Sequence, residues 1–228
     1  MRLLDHVLDL FYPTICAGCS EALVGGEQVL CLSCSLDLPF TRFHDDQDNV
    51  VEQRLKSRFE FEAASSLLFF HKKGRVQQML HSLKYHRNEA AGLFMGRLLA
   101  DELRASDRFA TVESVVPVPL HPRKLKVRGY NQSDVIAQGM EERGFIKREN
   151  ALQRLHDNSS QTRKDTFQRW KNVEGIFDLG DGSGLQGKHV LLLDDVLTTG
   201  ATLEACAQAL LKIPDIKLYV ATVACAEH

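Results

Sequence analysis

The stretch VLLLDDVLTTGATL, from Val190 to Leu203, carries most of the information about the fold. Its apolar run ends in two adjacent acids, Asp194 and Asp195, and the chain soon passes into hydroxyls and glycine. The run predicts a buried strand of a parallel sheet, with its carboxyl end pointing at the acids. Because ligands of open α/β sheets bind beyond the carboxyl ends of strands, the stretch predicts a ligand site there.

The residues after the acids favour an anion. We expect the next helix to open at Thr198, Thr199, Gly200, Ala201 and Thr202. Free backbone N–H groups and the helix dipole attract a phosphate, the hydroxyls add donors, and glycine permits close approach. A phosphate alone does not explain the acids, whereas sugar hydroxyls or Mg²⁺ do. A phosphorylated ribose with a metal-bound diphosphate supplies the phosphate, the hydroxyls and the metal in one molecule. The alternative is a threonine-capped helix without a ligand.

Strands alternate with helices along the rest of the chain. Strands are predicted at FEAASSLLFF, VESVVPVPL, HVLLLDD and IKLYVATVA, with a weak short strand at ALQRL. An apolar stripe that includes Val76 and Leu83 predicts one helix, and residues 90–103 form a second. Two more are predicted, one after Gln132 and one at TLEACAQALLK. This order predicts a mostly parallel sheet covered on both faces. The polar stretch 43–58 is interpreted as a linker or exposed connection. GDGSGLQG is interpreted as a flexible loop, because its glycines precede a strand.

Four of the six cysteines lie close together near the N-terminus. Cys16, Cys19, Cys31 and Cys34 form a CxxC…CxxC pattern that suits a tetrahedral zinc ion. The alternatives are two disulfides or four free thiols, and disulfides are disfavoured because no secretion signal is evident. Four thiolates leave no position open for a substrate, so the predicted zinc is structural.

Composition and charge set the broad class. The chain has 228 residues and a formal net charge of −2, which does not fit a general nucleic-acid binder. No apolar run approaches the roughly 20 residues that span a bilayer. Residues 3–11 have apolar side chains at helical spacing and predict a short amphipathic helix rather than a signal peptide. A cytoplasmic protein is expected.

The acids and the turn that follows them resemble the phosphoribosyltransferase family, which uses 5-phosphoribosyl-1-diphosphate (PRPP) with Mg²⁺. The resemblance implies that Asp194 and Asp195 hold the ribose hydroxyls and that residues 198–202 wrap the 5′-phosphate. PVPLHPRKLKVRGYNQS, residues 117–133, resembles a second hallmark of the ComF family, which is linked to competence, natural transformation and DNA uptake. That likeness implies a zinc-ribbon module over residues 1–45 and a type I phosphoribosyltransferase-like domain over 46–228.

Further site residues follow from the same resemblance. Arg123 and Arg128, in a basic loop, fall where the family places its diphosphate loop; the alternative is a solvated loop. Residues 160–172 occupy the place of the flexible loop that closes over PRPP, and Arg163 could reach the diphosphate; the alternative is a disordered loop. Lys84 falls where ComF-like proteins carry a lysine.

Three functions are compatible with these features. A phosphoribosyltransferase would displace diphosphate from ribose C1, with Asp194, Asp195, Arg123, Arg128 and Arg163 in the reaction site. A sensor would bind PRPP without turnover. A binding module would dock single-stranded DNA, or a competence protein such as a DNA-translocating helicase, through the zinc ribbon and basic loops.

Overall fold

The computed structural model describes residues 13–155 and 176–226, and its centre is a five-stranded parallel sheet. The spatial order is β1–β7–β6–β2–β3, with these bounds: β1 Ala63–Phe69, β2 Ser114–Pro117, β3 Ile146–Lys147, β6 His189–Leu197 and β7 Lys217–Cys225. A separate antiparallel pair joins β4, Leu152–Arg154, to β5, Phe177–Leu179. The predicted fold class, a mostly parallel α/β sheet, is confirmed.

Helices cover both faces of this sheet. Their bounds are α1 Leu32–Leu36, α2 Val50–Leu55, α3 Arg75–Tyr85, α4 Glu89–Arg104, α5 Pro122–Arg128, α6 Gln132–Glu141 and α7 Ala201–Leu210. One core contains side chains of α3, α4 and α6, and the other contains side chains of α2 and α7. Within the described ranges, no helix is both long enough and apolar enough to cross a membrane. The helix predicted over residues 3–11 lies outside the described residues.

The central strand of the sheet is β6. It pairs with β7 on one side and β2 on the other, and its residues from Val190 to Leu193 are completely buried. Burial on both faces explains why this part of the strand is uniformly apolar. The strand does not end at the acids, as the sequence predicted, but runs through them to Leu197. The extension is supported by β7, because Asp194 pairs with Thr222 and Val196 with Ala224.

The stretch interpreted as an exposed connection contains the helix α2, so that interpretation was wrong. Val51 and Leu55 are fully buried against the sheet. The Asn49 side chain accepts hydrogen bonds from the N–H groups of Val51 and Glu52 and donates to the carbonyl of Ala64. An Asn cap with Glu three residues later is a helix-start pattern, which the surrounding charges obscured.

The basic stretch after β2 is also a helix rather than a loop. Pro122 occupies the first turn of α5, and the His121 side chain accepts a hydrogen bond from the Arg123 N–H. Gly129 ends the helix with a φ of +88°, a conformation that glycine adopts without strain. No residue of α5 is buried, so the helix produces no apolar periodicity in the sequence.

The helices α4 and α6 cross at two glycines. A Cβ added to Gly139 would lie 2.2 Å from the Leu93 carbonyl oxygen, and one added to Gly96 would lie 2.0 Å from that of Ile136. Because both obstacles are backbone atoms, Gly139→Ala is expected to lower the free energy of unfolding by about 2–4 kcal/mol in urea titrations. Gln138→Ala, at an exposed position of the same helix, is the control and should change it by less than about 0.5 kcal/mol. Equal stabilities for the two variants would contradict a close backbone contact between α4 and α6.

Candidate functional site

The first of the paired acids, Asp194, is held by two donors. Its Oδ1 accepts hydrogen bonds from the Ser133 hydroxyl at 3.1 Å and from the Asp195 N–H at 2.8 Å. Burial, and then the negative charge of Asp195, raise the pKa of Asp194 to about 7, although the two hydrogen bonds and the charge of Lys84 act in the opposite direction. A half-buried carboxyl with a raised pKa beside a second carboxyl is typical of functional sites.

The second acid, Asp195, forms an ion pair with a lysine from α3. Lys84, in the last turn of α3, places its Nζ 2.5 Å from Asp195 Oδ2. Both side chains are partly shielded, with exposed fractions of 24% for Lys84 and 14% for Asp195. The lysine therefore offsets one of the two charges that the protein concentrates at the end of β6.

A tight turn follows the strand. Gly200 has a φ of +81° and immediately precedes α7, while Thr198 and Thr199 are exposed beside it. A Cβ at Gly200 would be strained and would lie 3.0 Å from Leu55 Cδ2. The helix thus begins at Ala201, and its amino end and the turn leave backbone N–H groups for an anion.

The paired acids border a cleft of about 180 Å³, which only Thr202 of the predicted turn 198–202 lines. Both acids and Thr202 line it, together with Ser133 and the cationic side chains Lys84, Lys124, Arg128 and Arg154. Four cations against two carboxylates give the cleft a positive balance that suits a polyanion carrying hydroxyl groups. Arg128 also donates to Gln132 Oε1 at 2.6 Å, and its guanidinium lies over the Tyr85 ring.

The predicted residues do not all reach this cleft. Arg123 lies in the first turn of α5 on an exposed surface, outside the set that lines the cleft. Arg163 and the predicted closing loop lie outside the described residues, between β4 and β5.

Sequence reasoning missed three contributors to the site. Ser133 ends the stretch 117–133 that resembles the ComF hallmark, but it was not singled out there, and Arg154 has no distinctive neighbours. Arg58 follows α2, forms a 2.7 Å ion pair with Glu204 and lies against the Gly200 turn. Recognising the Asn49 helix start could have pointed to Arg58, and the motif over 117–133 already contains Ser133, whereas nothing local marks Arg154.

The cysteines form a compact cluster. Their four sulfurs lie within 4.8 Å of one another, and the Sγ atoms of Cys19 and Cys31 are 3.8 Å apart. Four sulfurs about 2.3 Å from one tetrahedral zinc are about 3.8 Å apart, so the geometry fits such an ion. Cys16 accepts from the N–H groups of Gly18 and Cys31. Burial opposes ionisation of Cys16, but backbone N–H donors outweigh it and lower its pKa to about 7.

A five-stranded parallel sheet, with paired acids in its central strand and a glycine turn after that strand, defines an α/β protein with a candidate ligand site at one edge of the sheet. Among relatives by sequence, the DNA utilization protein YhgH of Salmonella typhi is 30% identical over 214 residues, which cover 90% of this chain and 87% of that protein. The competence protein ComFC of Bacillus subtilis is 35% identical over 98 residues, 43% of this chain and 38% of its own. Competence protein F of Haemophilus influenzae is 31% identical over 103 residues, 44% and 45% of the two chains. The chain belongs to the ComF family of competence and DNA utilization proteins.

Other comparisons are weaker. No protein-family model matches the chain. The glutamine PRPP amidotransferase of B. subtilis aligns with a TM-score of 0.42 and 18% identity, over 59% of this chain and 26% of its own. A hypoxanthine phosphoribosyltransferase of Staphylococcus aureus gives a TM-score of 0.34 and 17% identity, over 59% and 62%.

Proposed function

We propose that the chain binds PRPP with Mg²⁺ in the cleft at the end of β6, and that this binding serves DNA utilization of the kind for which its relatives are named. One observation carries the proposal: Asp194 and Asp195 line a positively balanced cleft, and the strand that carries them leads into a glycine turn that opens a helix. Carboxylates accept from sugar hydroxyls, while a helix amino end binds phosphate. A phosphoribosyl group requires both.

The parts of PRPP divide among the residues of the cleft. Asp194 and Asp195 accept from the ribose hydroxyls, and residues 198–202 enclose the 5′-phosphate. Lys124 and Arg128 face the diphosphate from α5, with Arg163 as a further predicted contact. Mg²⁺, a hard cation that binds carboxylate and phosphate oxygens, offsets the diphosphate charge when bound. In a transferase, Asp194 and Asp195 would also offset the positive charge that develops on the sugar, and the cationic side chains would offset the negative charge of the departing diphosphate.

Thermal unfolding with separate parts of the ligand tests this assignment. At about 100 times its dissociation constant, magnesium-PRPP should stabilise the folded protein by about 2.7 kcal/mol. At the same concentration, ribose 5-phosphate and magnesium diphosphate should each give a smaller shift, because each fills only part of the cleft and binds more weakly. Release of diphosphate on adding a nitrogenous acceptor would identify a transferase, and binding without release would identify a sensor. A shift with diphosphate equal to that with PRPP would contradict the sugar-binding role of the acids.

Binding of magnesium-PRPP is expected to depend on pH. With its pKa raised to about 7, Asp194 loses its negative charge as the pH falls through neutrality, and the protonated group is a poorer acceptor. The dissociation constant should therefore rise by up to about tenfold per pH unit below 7 and level off above about 8. The same titration on Asp194→Asn should show weak binding without this inflection. An inflection that persists in the variant would assign the titration to another group.

We further propose that the four cysteines hold one structural zinc, and that residues 1–45 form a zinc-ribbon module ahead of a domain over 46–228. The sulfur geometry supports the metal. The module also contributes to the main core, since Ala17, Leu30 and Cys34 belong to the same apolar cluster as Leu68 and Met79. The expected cytoplasmic location remains part of this proposal.

A second candidate function is docking of single-stranded DNA or a competence protein. It is favoured by α5, which carries four cationic side chains and no buried residue, with Val127 82% exposed. A DNA-binding surface of this kind would lose affinity steeply with added salt, independently of PRPP. Partner binding that required PRPP would join the two functions in one molecule.

A further inference from the structure

The cysteine cluster stands in a segment that has no positive side chain of its own. Residues 13–41 contain no lysine, arginine or histidine, whereas they contain three carboxylates, those of Glu21, Glu27 and Asp37. Four thiolates around one Zn²⁺ also leave an excess of negative charge. The segment therefore needs a cation from another part of the chain.

Arg75, the first residue of α3, brings a cation to this segment. Its guanidinium donates to the Asp37 carboxylate at 2.7 Å. Asp37 is the residue at which α1 ends, and α1 carries Cys34. Burial acts to lower the pKa of Arg75, but the hydrogen bond with Asp37 and the negative charge of Cys34 outweigh it and raise the pKa. The guanidinium therefore interacts both with a carboxylate of the segment and with a cysteine of the cluster.

The stability of α3 does not explain an arginine at this position. The amino end of a helix is the positive end of its dipole, where a cation is unfavourable. No acidic residue occupies the first turn of α3, and Gly74 has no side chain that could cap it. An ion pair whose side chains are 38% and 58% exposed contributes little by itself. The negative charge of the cysteine cluster gives Arg75 a role that neither the helix nor the ion pair explains.

Packing holds the start of α3 against the cysteine cluster. Val76, the residue after Arg75, is buried in the same apolar core as Cys34. The next cation along the chain, Arg42, pairs instead with Glu102 of α4 at 2.6 Å. Arg75 is thus fixed beside the cluster by the fold, whereas Arg42 is engaged elsewhere.

We propose that Arg75 supplies the counter-charge of the zinc–cysteine cluster and thereby holds the metal in the protein. The inference rests on the structural zinc proposed above. A positive charge beside Cys34 favours its thiolate, which is the form that binds zinc. Arg75 contacts no metal itself, so it is a positioning residue that acts through Cys34. An arginine suits this role because its guanidinium stays charged at every pH at which proteins fold.

Competition between the zinc-loaded protein and a chromogenic chelator measures how firmly the metal is held. Arg75→Met should weaken zinc binding at least about tenfold, the usual effect of removing a partner of a metal ligand. Arg75→Lys, which keeps the positive charge, should recover most of this loss. Arg97→Met is the matched control and should hold zinc as wild type does. Arg97 is also a partly exposed arginine in an ion pair, at 2.8 Å from Glu142, but it belongs to α4.

Two further measurements separate a counter-charge from a structural contact. The difference between wild type and Arg75→Met should shrink as salt is raised to about 1 M, where charges are screened within roughly 3 Å. A contact that acted by packing would not respond in this way. Asp37→Asn should hold zinc at least as firmly as wild type, because it removes a negative charge and leaves Arg75 to Cys34. Circular dichroism of zinc-saturated Arg75→Met should match that of wild type, which excludes general unfolding as the cause.

The outcomes distinguish the role of Arg75 from the presence of zinc. Equal zinc affinity of Arg75→Met and wild type, or a loss that Arg75→Lys does not recover, would overturn the role of Arg75 and leave the structural zinc in place. An equal loss in Asp37→Asn would assign the effect to the ion pair at the end of α1 and would also overturn it. Wild-type protein that binds no zinc would contradict the proposed metal site and, with it, this role of Arg75.

Discussion

Replacing Asp194 with asparagine is expected to make the unliganded protein more stable and to remove its response to magnesium-PRPP. The folded protein raises the pKa of this carboxyl from its ordinary 3.8 to about 7, mainly through burial. The unfolded chain therefore releases the proton first as the pH rises, so the carboxyl costs stability progressively between about pH 4 and pH 7 and fully above that. Asparagine keeps a side-chain oxygen for Ser133 and for the Asp195 N–H while removing the charge of this half-buried side chain.

Urea unfolding at several pH values measures this effect. Above about pH 7 the variant should exceed wild type by about 1–4 kcal/mol, and below about pH 4 the two should coincide. Magnesium-PRPP should stabilise wild type only. A variant less stable than wild type at high pH would show that the Asp194 charge is favourably solvated or paired, which contradicts a pKa raised by burial.

Removal of the metal is the second large expected effect. Structural zinc sites contribute about 10–16 kcal/mol of binding free energy at neutral pH, more than the stability of a typical domain. A strong chelator, or Cys34→Ser, is therefore expected to unfold the segment that contains Cys16 and Cys34. Because Ala17, Leu30 and Cys34 share a core with Leu68 and Met79, the main domain should also melt at a lower temperature.

Cys225→Ala provides the matched comparison for Cys34→Ser, since Cys225 is equally buried but lies outside the cluster. This variant should retain one zinc per chain by elemental analysis. Its free energy of unfolding should fall by only about 1 kcal/mol for the atom removed. Wild-type protein that contains no zinc, or that melts identically after chelation, would contradict the assignment.

The parts of the fold that sequence predicted well are those with a long buried face. The run from Val190 to Leu193 identified the central strand, because a strand buried on both sides must be apolar throughout. The helix predicted over 90–103 is α4, Glu89–Arg104, whose apolar stripe is repeated over several turns. The helix α2 was missed because its few apolar residues stand among charged neighbours. Its start is stabilised by Asn49, which also donates to the distant Ala64 carbonyl.

The sequence likewise predicted some residues of the candidate site and not others. Asp194, Asp195 and the glycine turn are contiguous, so their pattern is readable along the chain. The partners of these acids, Lys84 and Ser133, come from different helices and meet them only through the packing of the sheet.

The most direct test of PRPP binding at the paired acids is a calorimetric titration of the zinc-loaded protein with magnesium-PRPP, beside the Asp194→Asn/Asp195→Asn double variant. We expect saturable binding of about one ligand per chain to wild type, and at least about a hundredfold loss of affinity in the double variant, because two acceptors of the ribose hydroxyls weaken together. Binding of equal strength to both proteins, or no binding to wild type at millimolar ligand, would contradict a PRPP site at Asp194 and Asp195.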